Sequence, residues 1–183
     1  MANAEPITNP VDETDGTLPL ESQTPRFAAY FKVRHYEMDA YGHVNNAVYL
    51  HYLEQAAIEH SAAAGFPDER ARELGGAWLV RKHEIEYLRP AAAGDVLQVV
   101  TWAVAFKGAR AFRDYAIFRL EGGSDGLHGL PGDGFLAPDD LPTDEPLIRA
   151  RTLWVWADRA SGRPRRIPPE MYPAFLGAAF VGE

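Results

Sequence analysis

The sequence predicts an α+β domain in which one long central helix is wrapped by a curved antiparallel sheet of five or six strands. Two patterns support this class. One long segment, at residues 47–64, lacks glycine and proline, and four later segments are rich in valine, tryptophan, phenylalanine and tyrosine. Short turns separate three of these later segments, which favours antiparallel strands because parallel strands need long crossovers. A helix layer packed on an antiparallel sheet is one of the few arrangements that bury both apolar faces.

The 183 residues divide into one domain and two tails. Residues 1–25 contain four prolines and show no hydrophobic periodicity, so we expect a disordered acidic tail. A single domain is expected at residues 26–175, with a glycine- and proline-rich loop insertion at 122–146. Residues 176–183 are expected to form a C-terminal tail.

The net charge of −8 is unevenly distributed along the chain. Residues 1–25 and 121–145 hold 12 of the 26 acidic residues and none of the 18 basic ones. The remainder therefore has 18 basic residues against 14 acidic ones and is mildly basic. Such a body suits an anionic small ligand, whereas a polynucleotide needs a dense basic face, so we expect no nucleic acid partner.

The first two elements follow from hydrophobic spacing and capping residues. Apolar and polar residues alternate at 27–36, which predicts a strand. The helix at 47–64 begins after Asn45 or Asn46, either of which is a good N-cap, and ends at Gly65. Its polar stripe is narrow, so we expect the sheet to cover much of its circumference.

Four further strands are predicted at 77–88, 96–106, 111–121 and 148–157. Their short turns predict a meander in which successive strands are neighbours. The insertion at 122–146 is expected to be a long hairpin loop or a lid, because the strand pattern resumes after it. A short helix is expected from Glu170. One helix leaves a sheet edge uncovered, and pairing of two copies would cover it, so we expect a homodimer or a dimer of dimers.

Several function classes are excluded by composition. The chain has no cysteine, which excludes disulfides, thiolate nucleophiles and cysteine-ligated zinc. No apolar segment reaches the roughly 20 residues of a membrane-spanning helix, and the first residues show no secretory signal, so we expect a cytoplasmic protein without a membrane partner. The histidines lack a recognised metal-ligand spacing, and we expect neither a metal nor a cofactor.

The densest cluster of reactive side chains directly precedes the long helix. It places the carboxylate of Asp39 and the imidazole of His43 in a glycine-containing loop that leads into a helix N-terminus. The first amides of a helix are unpaired and carry a partial positive charge, which stabilises a developing oxyanion. A carboxylate beside such amides can attack a carbonyl carbon or activate a water molecule. The cluster therefore indicates acyl-group hydrolysis without metal or cysteine.

The same segment resembles the hot-dog-fold acyl-CoA thioesterases, specifically the branch similar to 4-hydroxybenzoyl-CoA thioesterase. The resemblance covers residues 27–175 apart from the insertion, and is carried by Asp39-x-Tyr41-Gly42-His43-Val44-Asn45-Asn46, Tyr49, Tyr52-Leu53-Glu54, Ile85-x-Tyr87-x-x-Pro90, Gly94-Asp95, Gly162-Arg163-Pro164 and Ile167-Pro168. It implies a hot-dog fold, in which two subunits pair their sheets and place the active sites at the interface. It also implies a coenzyme A thioester as substrate.

The resemblance implies roles for individual residues as well. Asp39 matches the catalytic aspartate of the family, which acts as nucleophile or as general base on water. Asn46 falls where the first helical turn supplies a backbone amide to the thioester oxygen. His43 and Asn45 match a motif also seen in plant-type acyl-carrier-protein thioesterases, where a similarly placed histidine orients or polarises. Tyr41 departs from that motif, which favours coenzyme A over a carrier protein.

We therefore predict Asp39 and His43 as catalytic residues. The predicted substrate-binding residues are Tyr41, Asn45, Asn46, Ala47, His83 and Arg163. Each has a plainer alternative: a turn cap for Asp39, a buried histidine for His43 and His83, a helix cap for the asparagines and a solvated basic tail for the arginine. Glu54 is a reserve carboxylate, because some hot-dog enzymes place theirs on the helix.

Two other functions fit the same sequence. A non-catalytic hot-dog module would bind acyl thioesters or serve as a dimeric scaffold. A hot-dog dehydratase or hydratase would act on the α and β carbons of an acyl group, and Asp39 and His83 would have to approach each other.

Overall fold

The computed structural model describes residues 24–120 and 132–177. Most of the predicted acidic tail, the first part of the predicted insertion and most of the predicted C-terminal tail lie outside the described residues. The predicted domain boundaries therefore stay predictions.

The described residues form one six-stranded antiparallel sheet and three α-helices. In chain order these are β1 (Arg26–Lys32), α1 (Asn46–Ala63), α2 (Asp68–Glu73), β2 (Gly76–Tyr87), β3 (Val96–Lys107), β4 (Arg110–Arg119), β5 (Gly134–Leu136), β6 (Ile148–Asp158) and α3 (Met171–Leu176). The strand order across the sheet is β2-β6-β4-β3-β1-β5. The predicted α+β class, with one long helix and six strands, agrees with this arrangement.

Helix α1 lies on one face of the sheet and buries a single stripe. Its buried residues recur at helical spacing and are Tyr49, Tyr52, Leu53, Ala56, Ala57 and His60. They pack against inward-facing residues of the sheet such as Phe27, Val99 and Ile117. The opposite side of α1, including Ile58 at 53% exposure, faces outward. Within this chain the sheet contacts the buried side of α1.

The opposite face of the sheet is covered in part by the end of the predicted insertion. Val100, Trp102 and Phe118 form a second buried layer there, and Leu136 and Leu141 pack on it. Leu136 belongs to β5, which pairs with β1, so part of the insertion joins the sheet at its edge. Strands β4 and β6, which flank the insertion, pair as the arms of a hairpin, and the predicted loop contains the short strand β5.

The predicted meander is wrong at one connection. The residues between β2 and β3 form a short link, yet β2 pairs with β6, and β3 pairs with β1 and β4. The link crosses two intervening strands, a distance of roughly 14 Å at about 4.8 Å per strand. Eight residues can span roughly 26 Å when extended, so a short link does not require adjacent strands.

Smaller differences lie at element ends. Strand β1 ends at Lys32, four residues before the predicted end, and His35–Glu37 forms a turn of 3-10 helix. Helix α2 was not predicted. The predicted C-terminal helix is present as α3, and its last residue, Leu176, is 2% exposed.

Two β-bulges shape the sheet beneath the helix. The pairing register shifts between Val80 and Lys82 in β2, and between Ala103 and Ala105 in β3. A bulge reverses the alternation of side chains, because it inserts one residue into the strand. Trp78 and His83 therefore face the same side of β2 although one number is even and the other odd.

Candidate active site

The loop between β1 and α1 is a tight turn held by its own backbone. The Asp39 amide donates to the His43 carbonyl over 2.7 Å, and the Gly42 amide donates to the Asp39 carbonyl over 3.2 Å. Gly42 has φ +78°, a conformation that residues with a Cβ rarely adopt. The turn thus depends on glycine at this position, and it fixes where the Asp39 side chain begins.

The Asp39 carboxylate is partly buried and uses one of its two oxygens inside the loop. Oδ1 accepts hydrogen bonds from the Tyr41 amide (2.8 Å) and the His43 amide (3.1 Å). Oδ2 accepts none from the described residues. The turn-capping alternative considered for Asp39 is therefore present, and it leaves one carboxylate oxygen available for chemistry.

Glu37 joins this loop to helix α1. Its carboxylate is buried and accepts hydrogen bonds from the Tyr52 hydroxyl (2.8 Å) and the Arg34 amide (2.6 Å). Its carbonyl accepts from the Asn45 amide over 2.9 Å. Burial and the adjacent Glu37 carboxylate raise the pKa of Tyr52, so the phenol stays protonated and donates. Sequence reasoning missed the hydrogen bond between Tyr52 and Glu37, because no local sequence signal pairs two residues that are fifteen positions apart.

The helix start provides one backbone amide and one cap. The Asn45 side chain accepts from the Ala47 amide over 3.0 Å, which confirms Asn45 as the N-cap. The Ala47 amide is occupied by this cap, and the predicted substrate contact of Ala47 stays a prediction. The Asn46 amide donates to no described residue, and the Asn46 carbonyl accepts from the Tyr87 hydroxyl over 3.1 Å. Asn46 is therefore the position from which an amide can reach a ligand.

Asp39 and the helix start share one cavity of about 250 Å³. Strand β2 and the residues after it form the facing wall. The lining residues are Asp39, His43, Val44, Asn46, Tyr49, Tyr87, Leu88, Arg89 and Pro90. The cavity thus brings together a carboxylate, an imidazole and a helix N-terminus, as the sequence predicted.

His43 is exposed and lines this cavity, so the alternative of a buried, hydrogen-bonded histidine is wrong for it. Tyr41 is 87% exposed and does not line the cavity. Arg163 is exposed near the start of β2, because its carbonyl accepts from the Asp158 amide and Asp158 pairs with Gly76. The Asp39 cavity touches the other end of β2, eleven residues or roughly 36 Å away along the strand. One chain therefore does not bring Arg163 to Asp39.

His83 lies outside the Asp39 cavity. Its Nδ1 is 2.8 Å from the Thr152 hydroxyl, in the satisfied arrangement of a structural histidine. Burial lowers the pKa of His83, and the nearby Glu54 carboxylate opposes that shift. Glu54 itself is exposed and lines a second cavity instead. The structure thus separates both residues from Asp39 within one chain.

Two further features bear on the function classes. Among residues 24–120 and 132–177, no helix is long and apolar enough to cross a membrane. The same residues contain no cluster of three or more histidine and carboxylate side chains arranged to hold a metal ion.

Sequence comparison identifies relatives over most of the chain. The family model of the thioesterase-like superfamily matches residues 33–175. The acyl-acyl carrier protein thioesterase ATL3 of Arabidopsis thaliana is 29% identical over 145 residues, which cover 79% of this chain and 65% of that protein. The long-chain acyl-CoA thioesterase FadM of Escherichia coli is 40% identical over 73 residues, which cover 38% of this chain and 52% of FadM.

The chain spans only part of the length of these relatives. It covers 65% of ATL3 and 32% of a palmitoyl-acyl carrier protein thioesterase of Gossypium hirsutum. Among solved structures, a 1,4-dihydroxy-2-naphthoyl-CoA thioesterase from Synechocystis matches with a TM-score of 0.65 at 18% identity, over 84% of this chain and 98% of that one. This likeness shows a shared fold and confirms the predicted hot-dog arrangement.

Proposed function

The chain belongs to the thioesterase-like superfamily, and on that premise we propose that it hydrolyses an acyl thioester to a free acid and a thiol. The observation that carries the proposal is the cavity that Asp39 and Asn46 both line, where the Asn46 amide at the start of α1 donates to no described residue. Thioester hydrolysis needs a group that attacks the carbonyl carbon or activates water, and a site that stabilises the negative charge on the carbonyl oxygen. The carboxylate can supply the first and the helix N-terminus the second.

Two routes are open to Asp39. As general base, it takes a proton from water, the resulting hydroxide attacks the carbonyl carbon, the carbon–sulfur bond breaks and the thiolate takes up a proton. As nucleophile, its oxygen attacks the same carbon and expels the thiolate, and water then hydrolyses the mixed anhydride. In both routes the Asn46 amide and the helix N-terminus stabilise the negative charge on the carbonyl oxygen. His43, exposed at the rim, orients the thioester or water.

We propose coenzyme A as the thiol group of the substrate. The local identity to FadM favours coenzyme A, whereas the longer match to ATL3 points to acyl carrier protein. Tyr41, which departs from the carrier-protein motif, supports the first. Assays that supply the same acyl group on coenzyme A and on acyl carrier protein distinguish these two substrates.

The proposed enzyme is a homodimer that pairs its sheets through β2. This strand is twelve residues long, lies at one edge of the sheet and pairs only with β6 among the described residues. Long unpaired edges are rarely left exposed. Antiparallel pairing about a twofold axis sets the start of one β2 beside the end of the other. It would bring Arg163 of one chain toward Asp39 of the other, which a single chain cannot do. Sedimentation analysis tests the dimer.

The alternatives are less well supported by the geometry. The dehydratase or hydratase reading needs Asp39 and His83 together, and one chain holds them apart. The non-catalytic module predicts binding without release of thiol. We also propose a cytoplasmic location without nucleic acid or membrane partners; fractionation of the native host tests it, since ATL3 is named as chloroplastic.

The decisive experiment is a panel of acyl-CoA substrates with detection of free thiol, run on wild type and Asp39→Asn. We expect at least a hundredfold loss of kcat in the variant, the lower bound of a general-base contribution. Asp140→Asn, an exposed carboxylate near the other edge of the sheet, is the matched control and should retain wild-type rates. Binding without thiol release would establish the non-catalytic module, and an enoyl chromophore formed from 3-hydroxyacyl-CoA would establish the dehydratase.

A further inference from the structure

A second cavity, of about 540 Å³, lies between the C-terminal half of α1, helix α2 and the sheet. It is separate from the Asp39 cavity. Its wall is mainly apolar and aromatic, with Ala57, Phe66, Trp78, Phe106, Trp154 and Phe175 among the lining residues. Four charged residues that line it are exposed and lie at its rim: Glu54, Asp68, Glu69 and Arg159.

Arg113 is the one buried charged residue among the lining residues, at 7% exposure. Its Nη1 donates to His60 Nδ1 over 2.6 Å and to the Thr101 hydroxyl over 3.1 Å, and its guanidinium carbon lies 5.9 Å from the Phe175 ring centre. No described carboxylate pairs with it, and its Nε and Nη2 donate to no described residue. Arg113 Nε and Nη2 are accessible and not fully enclosed, so a ligand in the cavity can reach them, and a guanidinium this buried with no carboxylate partner among the described residues favours an anionic one.

His60 holds Arg113 in position and leaves its charge uncompensated. Because the guanidinium always donates, His60 Nδ1 accepts, and the proton of the ring lies on Nε2. Burial and the Arg113 charge lower the pKa of His60 to about 2, so the ring is neutral. It stacks on Phe27 with ring centres 5.4 Å apart. His60 is thus an uncharged neighbour that binds Nη1 and leaves Nε and Nη2 without a partner among the described residues.

The second cavity and the Asp39 cavity lie at opposite ends of β2. Trp78, in its wall, is two residues from the start of β2, whereas Tyr87, in the Asp39 cavity, is the last residue of that strand. In the proposed dimer the two ends of β2 are brought side by side, so the aromatic cavity of one chain adjoins Asp39 of the other. Within a single chain the separation is long, since Asn46 and His60 lie roughly 21 Å apart along α1.

Resting on the proposed thioesterase activity, we infer that Arg113 selects acyl groups whose far end carries a hydrogen-bond-accepting oxygen, most strongly a carboxylate. The apolar wall binds the chain, and the free guanidinium donors bind the oxygen at its end. A purely hydrocarbon chain leaves those donors without a partner. Sites built to hydrogen-bond a substrate discriminate strongly against analogues that lack the polar group.

The test compares straight-chain acyl-CoA thioesters with their ω-carboxy counterparts of equal length. We expect wild type to favour the ω-carboxy series in kcat/KM by about tenfold to a hundredfold, the value of a hydrogen bond to a charged group. Arg113→Met should bring the ratio between the series close to one. Arg70→Met, which removes an exposed guanidinium of α2 that lines neither cavity, is the matched control and should preserve the ratio.

A binding measurement separates this inference from the proposed activity. Non-hydrolysable S-alkyl-CoA and S-(ω-carboxyalkyl)-CoA thioethers are titrated calorimetrically into wild type, which needs neither turnover nor a stable Arg113 variant. Tighter binding of the carboxylate thioether supports the inference even where no thioester is hydrolysed, in which case the proposed activity alone fails. Equal binding of the two, or equal hydrolysis of the two series, overturns the inference and leaves the thioesterase proposal standing. Binding of neither thioether overturns the inference.

Discussion

Removing the hydroxyl group of Tyr52 should loosen the proposed catalytic loop without altering Asp39. This hydroxyl donates over 2.8 Å to Glu37, which is 7% exposed. Glu37 also accepts from the Arg34 amide and, through its carbonyl, from the Asn45 amide. Tyr52→Phe therefore deletes one donor to a buried carboxylate at the junction of loop and helix.

The magnitude follows from the charge of the acceptor. A hydrogen bond to a charged group contributes about 1.5–3 kcal/mol, so the free energy of unfolding should fall by about that amount. Each kcal/mol corresponds to roughly 2–4 °C in a domain of this size, giving a loss of about 3–12 °C in melting temperature. Burial and the Glu37 carboxylate raise the pKa of Tyr52, so this stabilisation is complete below about pH 10 and is lost as the pH rises further. The Tyr52→Phe variant should lose less stability than wild type as the pH rises above about 10.

Urea denaturation followed by tryptophan fluorescence measures the stability, and thiol release measures activity. Tyr36→Phe is the matched control, because its side chain is 77% exposed; its stability should stay within about 0.5 kcal/mol of wild type. We expect Tyr52→Phe to lower kcat several-fold as the loop loses its anchor. Equal stability of the two variants would refute the assignment of Glu37 as an anchor. A destabilised variant with unchanged kcat would show that the pair does not position the loop.

Three further predictions concern the same region and the helix. Asp39→Asn should keep near-wild-type stability in urea, because an amide oxygen can still accept hydrogen bonds from the loop amides. Asp39→Ala removes this acceptor and should lower the free energy of unfolding by about 1–2 kcal/mol. Equal stability of the two variants would contradict the capping role. Asn45→Ala should lose about 1 kcal/mol by thermal denaturation and Asn46→Ala should change little, since only the first caps α1; the reverse order would overturn the assignment. Burial and the Arg113 charge lower the pKa of His60 to about 2 in the folded protein, whereas the unfolded chain takes up this proton near pH 6.5. The free energy of unfolding of wild type should therefore fall by about 1.4 kcal/mol per pH unit below about pH 6. Urea denaturation across that pH range should show a smaller fall in the free energy of unfolding for His60→Gln. The control His51→Gln, on the exposed side of α1, should show the same fall as wild type.

Most elements could be predicted from local sequence. Helix α1 begins at its Asn45 cap and ends before Gly65, because capping and termination are determined by residues within one or two turns. Strands β3 and β6 begin at their predicted first residues, since hydrophobic alternation and β-branched composition are also local properties. The turn that carries Asp39 belongs to the same class: its glycine and its side-chain cap lie within five residues.

Only the tertiary structure decided which distant residues meet. The placement of β2 beside β6, the bond between Glu37 and Tyr52, and the burial of Arg113 against His60 join residues separated by 15 to 82 positions. Such contacts depend on the packing of the whole sheet against α1, where many weak pairings compete, and no short segment determines which pairing forms. The bulge at Arg81 adds a second reason, because one inserted residue reverses which side chains of β2 face the helix. Local chemistry thus determined the loop and its carboxylate, and long-range packing determined the cavity that surrounds it.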